Sequence, residues 1–227
     1  MVALNGADNR DTSEKIPYLT YVGGDLYQDG YKAGAYALQT AKDGRIPAIT
    51  KVLCANPVPD HAGLIARCNG MIDVMKEAGI EAEALNITTD PERAATLTEA
   101  YMAEHADVNL IYNVTTFSTP WVYQVAADMG LSPDVDMEGV TMIGVDESPL
   151  AIEGVKQGKL LITHSQGFML QGYLPLEWLY FNKVLGYVPQ SDNMVGPVII
   201  DQSNAATFEK LVRTVFSDEA YDSQGAW

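Results

Sequence analysis

Short apolar runs alternate with longer segments of helical periodicity along almost the whole chain. Runs typical of buried strands lie at residues 2–4, 19–23, 49–55, 80–87, 108–114, 140–145, 160–165 and 198–201. Helical periodicity predicts helices between them, and also over residues 168–185 and 204–216. Residues 56–60 predict a loop and the N-cap of a helix that ends at Glu77. This alternation predicts a parallel sheet with helices on both faces.

Polar residues end most of these apolar runs. They are Asn5, Asn56, Thr115, Asp146 and Gln166. The carboxyl ends of parallel strands meet at one edge of a sheet, and open α/β sheets bind small molecules at that edge. We therefore expect a ligand site there.

Each candidate also has a structural role open to it. Asp146 fits the N-cap of the helix that follows, although Ser148 is better placed for that role. Gln166 fits a hydrogen bond at a hinge, and Thr115 fits a helix cap. Asn5 fits an Asn-Gly turn. The sequence does not decide between these structural roles and contact with a ligand.

Charge excludes two classes of partner. Among 227 residues, 14 are Lys+Arg and 30 are Asp+Glu, which gives a formal net charge of −16. This charge repels phosphate backbones and anionic membrane surfaces, so nucleic acid and lipid are poor partners. No apolar run approaches the roughly 20 residues that cross a bilayer, which argues against direct membrane insertion.

Signatures of common catalytic sites are absent from the sequence. It has no Gly-x-Ser-x-Gly elbow, no Walker-type loop and no Gly-x-Gly-x-x-Gly. His61, His105 and His164 lie far apart, and none has a partner at metal-ligand spacing. We expect no catalytic residue, no metal and no cofactor. An enzyme that uses Asp60, His61 or Asp146 is the weakest hypothesis.

Cys54 and Cys68 are the only two cysteines. They flank one strand-to-helix loop, so they form either a disulfide in an oxidising compartment or two buried thiols. The sequence leaves both possibilities open.

Several segments carry a specific family pattern. They are Tyr21-Val22-Gly23-Gly24-Asp25, Leu64-Ile65-Ala66-Arg67-Cys68-Asn69-Gly70, Ile143-Gly144-Val145-Asp146, and Gln166 with Leu170-Gln171-Gly172-Tyr173-Leu174-Pro175 and Gly196-Pro197-Val198. In these segments the chain resembles the periplasmic sugar-binding proteins of the ribose-binding type, the substrate-binding components of ABC importers. The resemblance extends over essentially the whole chain.

The resemblance implies a periplasmic-binding-protein-like α/β fold, with parallel sheets flanked by helices in one complete lobe and one partial lobe. We expect residues 18–146 to form the complete second lobe, to which residues 191–227 return as a strand, a helix and a tail. Residues 1–17 and 147–190 would be the hinge and the remainder of the first lobe, whose opening elements precede Met1 in the family. An exposed apolar face over residues 1–11 and 151–188, with poor solubility, is the expected consequence.

The resemblance also implies a function. It is the non-catalytic binding of a sugar or polyol between two lobes, with delivery to an ABC importer permease by a monomer in the periplasm or another extracytoplasmic compartment. Closure about a hinge near residues 11–16 and Gln166 would signal the bound state. The alternative on the same fold is a ligand-sensing effector domain of a transcription regulator or sensor kinase. By position, the residues that match ligand-contacting sites are Asn5, Arg67, Thr115, Asp146 and Gln166.

Two departures from the ribose-binding pattern favour a different sugar or polyol. Ile65 stands where the ribose-type proteins place a ligand-binding Arg, and Asn5-Gly6 stands where they carry an acid and a base. Arg67 matches the Arg of a Leu-x-x-Arg-x-x-Gly pattern. A structural salt bridge is the other role open to Arg67.

Overall fold

The computed structural model describes residues 1–8, 10–11, 13–131, 139–225 and 227. Its strands are β1 (Ala3–Leu4), β2 (Tyr21–Gly23), β3 (Lys51–Asn56), β4 (Glu81–Asn86), β5 (Val108–Asn113), β6 (Thr141–Ile143), β7 (Thr163–Ser165), β8 (Asn193–Met194) and β9 (Val198–Ile200). Its helices are α1 (Leu26–Lys42), α2 (Ala62–Glu77), α3 (Pro91–Glu104), α4 (Thr119–Asp128), α5 (Pro149–Lys156), α6 (Phe168–Leu185), α7 (Ala205–Phe216) and α8 (Asp218–Gln224). The predicted α/β alternation is confirmed.

The larger sheet is parallel in the order β4-β3-β5-β6. A parallel bridge between Ile143 and Ile162 attaches β7 beside β6. Strand β9 then pairs with β7 in the antiparallel direction. The expectation of parallel pairing is therefore wrong for this last strand. Helix α6 lies between β7 and β9, but the chain then adds β8 to the smaller sheet before it returns, and β9 runs back along β7 in the opposite direction.

The smaller sheet is parallel in the order β1-β2-β8. Strand β8 was not predicted because its two residues, Asn193 and Met194, form no apolar run. Its neighbour Asp192 accepts a hydrogen bond from the Tyr21 backbone N at 2.8 Å and fixes the start of the pairing. Residues 21–23 and 193–194 thus share a sheet with β1, so the expected boundaries at residues 18 and 191 do not follow the sheets.

The core lies on the two faces of the larger sheet. Along β3, Leu53 and Ala55 face a cluster with α3, α4, α5 and α7, while Val52 and Cys54 face α1 and α2. This is the alternation that a strand covered on both faces requires. No described helix is long and apolar enough to cross a membrane.

Helices α1 and α2 approach each other at backbone distance. A Cβ atom on Gly30 would collide with the Arg67 carbonyl oxygen, and one on Gly70 would collide with that of Tyr27. Glycine at both positions removes these clashes and brings Asp29 of α1 next to Arg67 of α2. A disulfide between Cys54 and Cys68, with a Cα–Cα distance of 5.7 Å, joins β3 to α2 and settles the choice left open by the sequence.

Helix α2 begins one residue later than predicted. Its N-cap is His61, whose Nδ1 accepts a hydrogen bond from the Leu64 backbone N at 3.3 Å. Asn56 ends β3 and residues 57–60 form the loop, within which the Asn56 side chain accepts a hydrogen bond from the Val58 backbone N at 2.9 Å.

The expected exposed apolar face is present over only part of its range. Helix α6 has just Gln171 and Pro175 buried, although its sequence is apolar almost all round. Helix α5 is packed instead, with Ile152 and Val155 fully buried against α7 and α8. Strand β7 is buried as well, because β9 covers its free edge. The exposed apolar part of the predicted face therefore consists of α6, together with Met1 and Leu4 at the first strand.

Candidate functional site

Asp146 is the centre of a polar cluster at the carboxyl ends of β5, β6 and β7. Its Oδ2 accepts a hydrogen bond from Thr116 Oγ1 at 2.8 Å, and its Oδ1 accepts one from Gln166 Nε2. Asp146 has φ of 78°, a left-handed conformation that Asp and Asn tolerate better than most residues. The carboxylate is partly exposed at the mouth of the sheet.

Glu147 fixes the strand end that carries Gln166. This buried carboxylate accepts from the Gln166 backbone N at 2.9 Å and from the Phe168 backbone N at 2.7 Å. It therefore caps α6, whose own N-cap residue, Gly167, has no side chain that could accept. Ser148 caps α5 through a bond from the Ala151 backbone N at 3.2 Å, which leaves Asp146 free of that role.

Thr115 and Arg67 line an open groove of about 420 Å³ together with Thr116, Phe117 and Asp146. The hydroxyl of Thr115 lies 2.7 Å from Ser118 Oγ, within the turn that leads into α4. Ser118 is the N-cap of α4, but its side chain makes no capping bond to the helix. Thr115 thus belongs both to the turn and to the wall of the groove.

Arg67 forms the structural ion pair that was its alternative role. Its Nε donates to Asp29 Oδ2 at 3.1 Å, and its Nη1 donates to the Val114 backbone O at 3.0 Å. Its Nη2 lies 3.1 Å from the same carboxylate oxygen but makes no hydrogen bond. Arg67 is 4% exposed, yet it lines the groove, so the pair aims a buried cation at the space beside Asp146.

Two more buried groups complete this network. His164 Nε2 lies 2.9 Å from Tyr112 Oη, and His164 Nδ1 lies 4.0 Å from Asp29 Oδ2. Burial raises the pKa of the Asp29 carboxyl to about 6, against the opposing effect of Arg67. Burial holds the pKa of the His164 ring well below its usual value, with a further lowering by Arg67, so the ring is neutral. His164 is therefore a core residue.

Asn5 lies apart from this cluster. It is exposed with φ of 63°, and its backbone O accepts from Tyr21 Oη at 3.1 Å. The adjacent Gly6 lines a second groove of about 550 Å³, whose walls include Asp25, His61 and Asp192. The structure thus brings together Arg67, Thr115, Asp146 and Gln166 and leaves Asn5 at the other groove.

Three residues of the site were not among the sequence candidates. Thr116, next to Thr115, makes the direct contact with Asp146. Glu147 accepts a hydrogen bond from the Gln166 backbone N, and Asp29 accepts one from Arg67 Nε. Only Asp29 carries a sequence signal, because it precedes Ala33 and Ala37 by four and eight positions and so lies on the buried face of α1.

The described residues contain no group of three His, Cys, Asp or Glu side chains arranged to hold a metal ion. His61 caps a helix, and His105 Nδ1 lies 3.2 Å from Lys51 Nζ at the far end of the sheet. The side chains gathered around Asp146 are hydrogen-bonding groups at the carboxyl edge of the sheet.

Comparison with known proteins identifies the family. Residues 3–182 match the family model described as periplasmic binding protein domain. The chain belongs to this family. The expected fold is therefore confirmed.

One curated relative is the xylose/arabinose-binding protein XylF of Sulfolobus acidocaldarius, 28% identical over 186 residues. The match covers 82% of this periplasmic binding protein domain but only 43% of that relative, so the chain spans less than half of its length.

Solved structures share the fold. A carbohydrate transporter of Acidothermus cellulolyticus in complex with myo-inositol superposes with a TM-score of 0.76 at 20% identity, over 97% of this chain and 70% of that one. A periplasmic ribose ABC transporter protein of Conexibacter woesei gives 0.74 at 20% identity, over 99% and 70%.

Proposed function

We propose that this chain binds a sugar or polyol without reacting with it and delivers it to the permease of an ABC importer. The observation that supports this most is the convergence of Thr116, Asp146 and Gln166 at the carboxyl ends of three adjacent strands. Carboxylate and amide groups each engage neighbouring hydroxyls through two hydrogen bonds. The relatives above are named for sugar or carbohydrate binding and transport, which favours transport over the sensory alternative.

The groove also offers an aromatic side chain for the apolar face of a sugar ring. Phe117 lines it, is 48% exposed and packs edge-on against Trp121 with ring centroids 5.6 Å apart. An exposed ring held in this way covers the apolar face of a pyranose. Arg67 and Thr115 would contact further hydroxyls, and Asn5 would contact the ligand from the second groove after closure.

The proposed motion joins the two sheets of the fold. The β1-β2-β8 sheet with α6 would form one lobe, and the larger sheet would form the other, with the ligand between them. Closure about residues 11–16 and Gln166 would present one surface to the permease. A monomer in an extracytoplasmic compartment is the proposed working form, and the Cys54–Cys68 disulfide supports that location.

Isothermal titration calorimetry of the 227-residue protein against aldopentoses, aldohexoses and myo-inositol tests this function. Asp146→Asn keeps the shape and the left-handed backbone but removes the charge. It should weaken binding of the best sugar by about ten- to a hundredfold, since a hydrogen bond to a charged group contributes roughly 1.5–3 kcal/mol.

Asp60→Asn is the matched control, because Asp60 is an exposed carboxylate in the loop before α2. It should bind sugar like the wild type. An absence of heat with every sugar, or equal affinities of the wild type and Asp146→Asn, would contradict the proposal.

A further inference from the structure

Besides the two grooves described above, a cavity of about 290 Å³ opens directly beside the Asp146 cluster. It shares Thr116, Asp146, Ser148, Pro149 and Gln224 with the polar groove, so the two spaces are continuous. Most of its remaining lining is apolar and comes from the start of α6 and one face of α7, beside Glu147 and the α8 residue Ala220; the apolar side chains include Phe168, Met169, Leu211, Val212, Val215 and Phe216.

Several apolar side chains that line this cavity are exposed to solvent. Val215 is 44% exposed and Phe216 is 62% exposed, and Phe168 at the opposite wall is 37% exposed. Concave apolar surface of this kind gains free energy when an apolar group displaces water from it.

Apart from the exposed Gln224 at the end of α8, the polar groups at the margin of the cavity already have partners. Both oxygens of Glu147 accept backbone N–H groups, and Ser148 Oγ accepts from the Ala151 backbone N. A hydroxyl placed against the apolar walls from α6 and α7 would lose water without finding a strong partner. The cavity therefore suits an apolar substituent, while hydroxyls fit the groove on the other side of Asp146.

We propose that the ligand of this site is a sugar that carries an apolar substituent, such as an alkyl or aryl glycoside. The sugar hydroxyls bind Asp146 and the groove, and the substituent enters the cavity between α6 and α7. This inference rests on the proposed function and names the class of its ligand. The volume is sufficient, since an apolar cavity of about 150 Å³ holds benzene.

Calorimetry with two matched pairs tests the inference: D-xylose with phenyl β-D-xyloside, and D-glucose with phenyl β-D-glucoside. The phenyl glycoside should bind the wild type at least about tenfold more tightly than its free sugar, which corresponds to about 1.4 kcal/mol. Val215→Asp should abolish that gain and leave the affinity for the free sugar unchanged. Val215→Thr, which keeps the shape of the side chain, should lose part of the gain.

Leu176→Asp is the control, because it introduces the same charge on an exposed apolar helix outside the cavity. It should change neither affinity. If a free sugar binds and its phenyl glycoside gains nothing, the inference is wrong and the proposed function stands. If no sugar and no glycoside binds, both are wrong.

Two further outcomes would overturn the inference alone. One is a phenyl gain that survives in both Val215 variants, because the substituent then lies elsewhere. The other is a wild type that sediments as a dimer and becomes monomeric in Val215→Asp with the phenyl gain intact, because the cavity is then an interface between copies of the chain.

Discussion

At the scale of single residues, the buried Asp29 and Arg67 explain how the site holds its shape. Asp29 is fully buried, and its Oδ1 has no hydrogen-bond partner. The neutral His164 ring on its other side supplies no counter-charge. The carboxylate therefore depends on Arg67 alone, and Arg67 in turn is held at the groove by Asp29 and the Val114 carbonyl.

This arrangement makes a prediction about pH. Burial raises the pKa of Asp29 to about 6 in the folded state, above its ordinary value of 3.8. The folded protein therefore binds more protons than the unfolded one between these values, and the contribution of Asp29 to stability is present below about pH 4 and lost as the pH rises to about 6. As the pH rises through this window, the wild type should lose stability that Asp29→Asn keeps. The difference in the free energy of unfolding between variant and wild type should therefore shift in favour of the variant by up to about 1.4 kcal/mol per pH unit.

Urea unfolding at half-unit pH intervals measures this difference. Asp60→Asn is again the control, since it removes an exposed carboxylate and leaves the buried pair intact. Parallel stability profiles for the wild type and Asp29→Asn would show that Asp29 does not titrate in this window.

At the scale of elements, the disulfide anchors α2 to the centre of the larger sheet. Cys54 and Cys68 are both buried, and the bond closes a loop with a sequence separation of 14. That loop includes His61 at the second groove, and it ends next to Arg67. The bond thus links the two grooves to one rigid strand.

Replacement of both cysteines by Ala should lower the free energy of unfolding by about 3 kcal/mol, since a disulfide that closes a loop of this length restricts the unfolded chain by about that amount. Chemical denaturation with and without a reductant measures it. Reductant should lower the midpoint of the wild type and leave that of the double variant unchanged. A wild-type midpoint that does not respond to reductant would contradict the prediction.

At the scale of the whole molecule, a strongly acidic protein carries an exposed apolar helix, α6. Along α6, side chains at spacings of three and four form a stripe that is 46–67% exposed; its members are Met169, Tyr173, Leu176, Tyr180 and Val184. Apolar stripes of this size mark interaction surfaces. The net charge of −16 opposes contact between copies, but salt screens it.

We expect the monomer to self-associate weakly through α6 at high protein concentration, and this association should grow stronger as the salt concentration rises. Sedimentation velocity of the wild type should show larger species in roughly 0.5 M salt than in roughly 0.05 M salt, because the Debye length shortens. The double variant Leu176→Lys/Val184→Lys should stay monomeric in both. If the wild type is monomeric at all concentrations and salts, the stripe does not drive association.

The sequence by itself determined most of the elements, the residues that end the strands and the family. Helix α6 runs from Phe168 to Leu185 as predicted, and Asp146 and Gln166 meet because parallel strands must place their carboxyl ends side by side. These features follow from local periodicity and from the rules of sheet topology, so they can be predicted from the sequence.

Only the tertiary structure decided which partners those residues have. The choice of Thr116 over Thr115, the cap that Glu147 provides for α6, the antiparallel β9 and the location of Asn5 all depend on segments far apart in the chain. The continuity of the polar groove with an apolar cavity depends on where α7 packs, which no local pattern specifies. Hydrogen bonds and burial between distant segments are set by the packing of the whole chain, and a sequence pattern reports only what neighbours along it can do.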